Sequence, residues 1–146
     1  MKNIQSVIQY LYVHILALAT ITTVFVYGLD IPTLITNAPH LVKQYYYQNY
    51  ASNFILDIVL FGIYLAIAEF VANIYNIRTL QGKIGVVAIT TLLISGAFFL
   101  YFTNTAKTSN FFSIWFHTVK HKAIIYDIIL VTSVFLAKSW LTKKLF

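Results

Sequence analysis

"ILDIVLFGIYLAIAEF", residues 55–70, decides how this chain is read. It is an apolar run with one acid near each end, Asp57 and Glu69. Its neighbours extend it to a segment over residues 53–77, and roughly 20 mostly apolar residues suffice to cross a bilayer as a helix. The whole chain holds only four acids, Asp30, Asp57, Glu69 and Asp127. Three of them fall inside segments of this kind.

Composition sets the same frame. The chain has 146 residues, 60% hydrophobic, 17% aromatic and 10% charged, with a mean hydropathy of +0.78. A soluble domain is about 25% charged, and one this small cannot hide so much apolar surface. The sequence therefore predicts an all-α integral membrane protein. With no cysteine, disulfides, thiolate chemistry and Cys-based metal sites are excluded. The net charge of +6 is not read as nucleic-acid binding, because the cations lie at segment ends and in loops, where lipid headgroups are met. No small-x-small site ends the first apolar stretch, so it reads as a helix and not as a cleaved signal.

Four transmembrane segments are predicted, at 6–28, 53–77, 84–104 and 123–141, forming a four-helix bundle of two hairpins in one domain. The loop "RTLQGK" (78–83) is short, so the second and third segments form a tight antiparallel pair. The other loops are longer. In "DIPTLITNAPHLVKQYYYQNYASN" (30–53), Leu34, Ile35, Ala38, Leu41, Val42, Tyr45 and Tyr46 make a helical stripe that Pro39 interrupts. In "TSNFFSIWFHTVKHK" (108–122), Phe111, Phe112, Trp115, Phe116 and Val119 share one helical face, and Ser113, His117, Lys120 and His121 another. Thr108, Ser109 or Asn110 can cap its start. Both loops, at about 31–50 and 109–121, read as amphipathic helices in the bilayer interface on one side. Tyr45, Tyr46, Phe111, Phe112, Trp115 and Phe116 are the expected membrane-interface or partner-docking face.

Six cations (Lys2, Arg78, Lys83, Lys138, Lys143, Lys144) lie on the side of the termini and four (Lys43, Lys107, Lys120, Lys122) on the loop side, which favours cytosolic termini. A short repeat links the halves. "ILDIVL" (55–60) and "IYDIIL" (125–130) share I-x-D-I-[VI]-L at an offset of 70 residues, and each opens the second helix of a hairpin after an aromatic loop.

The acids are the candidate chemistry. Asp57 and Asp127 each lie about one turn into a helix, where the positive end of the dipole and interfacial water favour a carboxylate; they are expected to be interfacial acids, with Lys120 and Lys122 as partners. A paired-carboxylate ion or proton site is the sharper alternative. Glu69 is about 18 Å further along at 1.5 Å per residue, past the bilayer centre, where a charge costs at least about 2.5 kcal/mol. It needs a partner or a proton. Matching Asp57 to Asp127 in depth puts Glu69 level with Lys138, and His14 is at a similar depth in the first helix. The sequence predicts a Glu69–Lys138 pair with His14 nearby and Asn73 one turn below, acting as a polar clamp or, alternatively, as a proton or ion relay.

The four histidines do not make a metal site. His117 and His121 share a face but have no acid or Cys close in sequence. His14 alone lies within a span, whereas haem b in such a bundle needs histidines from two helices. No cofactor is expected. The third segment, "IGVVAITTLLISGAFFLYF" (84–102), is uncharged; its Gly85, Ser95, Gly96 and Ala97 permit close helix packing, with Thr90 and Thr91 as local hydrogen-bond donors. There is no P-loop, TVGYG filter, Ser-His-Asp arrangement or HExxH, so no enzyme is expected.

Two stretches, "LDIVLFGIYLAIAEFVANIYNI" (56–77) and "HKAIIYDIILVTSVFLAKSW" (121–140), resemble small multi-span membrane proteins of nucleocytoplasmic large DNA viruses. The resemblance implies a virion or assembly membrane and capsid contact, and brings no site residues. The leading expectation is a structural, non-enzymatic protein whose partners are the bilayer, other membrane or capsid proteins, or further copies of itself. The alternatives are an anchor subunit of a respiratory-type complex, with quinone or haem in a membrane such as the mitochondrial inner one, and a small ion or proton channel using Glu69.

Overall fold

The computed structural model describes residues 2–146; the Lys2 side chain, counted above toward the terminal-side charge, lies outside the described set. The described residues form helices and no strand. Helix α1 (Lys2–Thr22) runs on through a π-helical stretch, Thr23–Gly28. Two short helices follow, α2 (Ile31–Thr36) and α3 (Pro39–Lys43), and α3 widens into a π turn at Gln44–Gln48. Helices α4 (Tyr50–Ile74) and α5 (Leu80–Asn104) form the tight hairpin, and α6 (Phe111–Val119) leads into α7 (His121–Leu145). Each half of the chain is thus a long helix, a short connection and a second long helix.

Residues 3–28 and helices α4, α5 and α7 are long and apolar enough to cross a membrane, and a third or fewer of the residues in each apolar window are buried within the protein. The outer faces are correspondingly apolar: Ile63, Phe70, Leu93 and Tyr101 are all exposed. All four long helices begin two to four residues earlier than the sequence pattern suggests, α1 at Lys2, α4 at Tyr50, α5 at Leu80 and α7 at His121. Polar residues start these helices outside the apolar run that hydropathy detects.

Local signals explain the ends. Pro39 opens α3 as its first residue, where its missing N–H is not needed; it interrupts the expected loop-one helix by starting a second one. Helix α4 stops because Asn76 takes a left-handed conformation (φ 54°), which Asn tolerates better than most residues. The Ile77 N–H then donates to the Ala72 carbonyl (2.8 Å) and the Asn76 N–H to the Asn73 carbonyl (3.1 Å), satisfying carbonyls left over at the helix end. Three residues on, the Thr79 hydroxyl accepts from the Gly82 N–H and caps α5. Of the three candidate caps for α6, Asn110 takes the role, accepting from the Phe112 N–H at 2.9 Å.

Helix α7 packs against α1 and α5, and α5 in turn against α4, while α4 stands further from α1 and α7. The seam between α4 and α7 therefore holds two cavities, one at each end. Residues 56–64 of α4 face 126–130 of α7 at one cavity; 65–73 face 135–143 at the other. The two helices run parallel in the register that the repeat suggests, Asp57 opposite Asp127. Along the stretch between the cavities the buried residues form an apolar layer: Leu65 at the edge of one cavity, Leu130 at the edge of the other, and Val131 and Val134 of α7.

Candidate functional site

The cavity at the loop end measures about 220 Å³. Its α4 wall carries Asp57, Phe61 and Tyr64, its α7 wall Tyr126, Asp127 and Leu130, and α5 adds Phe98 and Phe102. The connections close it: Tyr45 and Tyr46 come from the π turn after α3, and Phe111, Phe112, Trp115 and Phe116 from α6. No Lys, Arg or His lines it.

Both carboxyls and three of the phenols in the wall are held. The Tyr45 hydroxyl donates to Asp57 Oδ1 at 2.5 Å. The Ser95 hydroxyl donates to Asp127 Oδ2 at 2.5 Å. The Tyr46 and Tyr126 hydroxyls are bonded to each other at 2.5 Å. The π turn is fastened from two sides, since Asn53 Nδ2 donates to the Tyr45 carbonyl (2.9 Å) and the Tyr27 hydroxyl to the Tyr46 carbonyl. Widening to π geometry presents consecutive residues, Tyr45 and Tyr46, to the interior; such bulges are frequent at functional sites. Burial, followed by the neighbouring Asp57 carboxyl, pushes the Tyr45 phenol well above its ordinary range. Burial and the Tyr126 hydroxyl do the same for Tyr46. Both phenols remain hydrogen-bond donors at physiological pH.

The aromatic rings pack in two groups, one around Phe102 and one around Phe111. Phe102 stacks on Phe116 with 6° between planes and centroids 5.6 Å apart. Phe111 stacks on Trp115 at 5.9 Å, and Tyr45 contacts Phe111 at 5.1 Å. Such pairs contribute about 0.5–1.5 kcal/mol each beyond area burial.

No family model, curated protein or solved structure matches the chain. The site is therefore argued from its chemistry alone. Three expectations need correction or relocation. Asp57 and Asp127 share a depth, as the repeat suggests, but Lys120 and Lys122 are not their partners. Asp57 is only 5% exposed, and both face the cavity with Tyr45 and Ser95 as partners in place of Lys120 and Lys122, which are exposed. Hydropathy could not reveal that the connections fold back over these carboxyls.

The expected docking face is also turned inward. Tyr45, Tyr46 and Trp115 are each 8% exposed and Phe116 5%, with Phe111 and Phe112 half-buried. The helical stripe was legible, but a stripe does not say whether bilayer or protein covers it.

The predicted polar cluster is brought together only in part. Glu69, Asn73 and Lys138 line the second cavity, yet the Lys138 ammonium lies over the Tyr10 ring, 3.3 Å from its centroid. Among the described residues Glu69 makes no ion pair. His14 does not join them: its Nε2 donates to the Ile58 carbonyl at 2.9 Å, tying α1 to α4 where Gly62 leaves room. Ser95, Phe61, Tyr64 and Tyr126 were not singled out as site residues. The sequence signal for Tyr126 was its place beside Asp127 in the repeat. Among the described residues no cluster of three or more His, Asp or Glu could hold a metal ion.

Proposed function

We propose that this is a multi-pass membrane protein that binds a small organic cation of the quaternary-ammonium type in the loop-end cavity. The observation that carries the reading is the pair of carboxyl groups, Asp57 and Asp127, in an aromatic wall with no basic residue. A buried carboxylate needs a proton or a cation. Aromatic faces attract cations, by about 2 kcal/mol or more once water is excluded, and reject hydrated inorganic ions that would have to shed water against apolar walls. An organic cation satisfies both halves of the site. Protons compete for the same two carboxyls, so uptake and proton release are coupled.

The membrane setting is part of the proposal. Four helices with exposed apolar faces cross the bilayer, and α2, α3 and α6 lie near one surface and roof the cavity. The apolar outer faces also support a role among other membrane proteins; a viral or assembly membrane rests on the sequence resemblance alone. The respiratory-anchor alternative would place a quinone against the same phenols, but a neutral ligand leaves both carboxyls without a counter-charge. The channel alternative is disfavoured by the apolar layer between the cavities.

Trp115 lines the cavity and Trp140 is exposed elsewhere. In a Trp140→Phe background, phenyltrimethylammonium should quench the remaining tryptophan saturably, and Asp57→Asn with Asp127→Asn should remove the saturable part. Unchanged quenching in the double variant would overturn the reading.

A further inference from the structure

The second cavity, at the terminal end of the α4–α7 seam, has the opposite electrostatics. It measures about 340 Å³ and is lined by Lys83, Lys138 and Lys143 against a single carboxylate, Glu69. A water's share of liquid volume is about 30 Å³, so the space admits a polyatomic anion. The three lysines come from the first turn of α5 and from two successive turns of α7, and the short connection before Leu80 brings Lys83 to the end of α7 that carries the other two. Among the described residues none of the three makes an ion pair. The Lys138 ammonium lies over the face of Tyr10 and feels the charge of Glu69 without forming an ion pair with it, and Glu69 is exposed at the margin.

Two further features specify the anion. Ser139 lines the cavity beside the ammonium groups and brings a hydroxyl donor, while the neighbouring Thr142 hydroxyl donates to the Lys138 carbonyl at 2.8 Å. The inner wall is apolar, with Leu65, Val87 and Phe135. A cationic pocket with an apolar inner wall, set among four helices whose outer faces are apolar, matches a phosphate head carried on a hydrocarbon body.

We infer that this cavity binds the phosphate of an anionic lipid headgroup, with Lys83, Lys138 and Lys143 as its cationic contacts. Basic pockets between membrane helices are established places for such heads. The site is independent of the loop-end cavity, from which the buried apolar layer separates it.

Native mass spectrometry of the full chain in detergent, with phosphatidylglycerol, phosphatidylcholine or inorganic phosphate added, tests this directly. Phosphatidylglycerol should be retained in preference to phosphatidylcholine. Lys83→Gln with Lys143→Gln should lower its retention by about 25-fold, at about fivefold per lysine, with phosphatidylcholine unchanged. Lys138→Arg should keep the preference, since it keeps the charge. Equal retention of the two lipids, or wild-type retention by the double variant, would overturn the site. Displacement of phosphatidylglycerol by inorganic phosphate at equal concentration would overturn the lipid assignment in favour of a soluble phosphate. Phenyltrimethylammonium quenching of Trp115 in the same variants should be unaffected, so failure here is distinguishable from failure of the loop-end site.

Discussion

The Tyr45 hydroxyl donates to Asp57 Oδ1 at 2.5 Å, joining the π turn after α3 to the buried face of α4. This bond fixes the roof of the cavity to one of its two carboxyls. Its loss leaves a buried acceptor without its donor, which costs about 1–3 kcal/mol. Tyr45→Phe should therefore lower unfolding stability in micelles by that amount. A Tyr45→Phe, Asp57→Asn double-mutant cycle should show coupling. Strict additivity would show that the bond does not hold the roof.

The same phenols make the fold sensitive to alkali. Burial raises Tyr45 and Tyr46 above the ordinary phenol value of 10.0. The folded protein thus keeps protons that the unfolded chain releases above about pH 10. Their contribution to stability is complete below that pH and falls as pH rises beyond it. Thermal unfolding followed from pH 8 to 11 should show a fall that is shallower in Tyr45→Phe, Tyr46→Phe protein.

Gly62 separates a close approach from a collision. A Cβ added there would lie 3.6 Å from His14 Nε2, an ordinary contact, and alanine favours a helix by about 1 kcal/mol over glycine. Gly62→Ala should leave stability unchanged or raise it by up to about 1 kcal/mol. Gly62→Leu should push α1 from α4 and cost about 1–3 kcal/mol. Denaturant unfolding of the two variants reads the difference in sign.

Glu69 is the residue whose role shifts most between sequence and structure. Its scarcity argued for a pair with Lys138, yet it borders a cavity dominated by lysines. Glu69→Gln removes the only carboxylate there. It should strengthen phosphatidylglycerol retention about fivefold and change stability by less than about 0.5 kcal/mol, as expected for an exposed side chain. A large loss of stability would restore the pairing.

These cases show what the sequence carries. Hydropathy located the four long helices because a bilayer-length apolar run has one common meaning. The I-x-D-I-[VI]-L repeat set the depth of Asp57 against Asp127, because parallel helices with a matched start keep their register. Local chemistry exposed Asn110 as a cap candidate and Pro39 as an interruption. The roof was not legible. Whether Tyr45 and Trp115 face lipid or Asp57 depends on how sharply the chain turns, and that turn rests on left-handed residues without glycine, Asp30, Asn37 and Lys120. The cation over Tyr10 was hidden for a similar reason: depth along the axis brought Lys138 level with Glu69, but rotation about the axis aimed it at α1.

The central claim, a proton-linked cation site made by Asp57 and Asp127, is tested most directly by calorimetric titration of phenyltrimethylammonium in buffers of different ionisation enthalpy. The account predicts that binding releases protons to the buffer and tightens as pH rises. It also predicts that Asp57→Asn, Asp127→Asn protein neither binds nor releases them. Binding of equal strength at all pH values, without proton release, would contradict it.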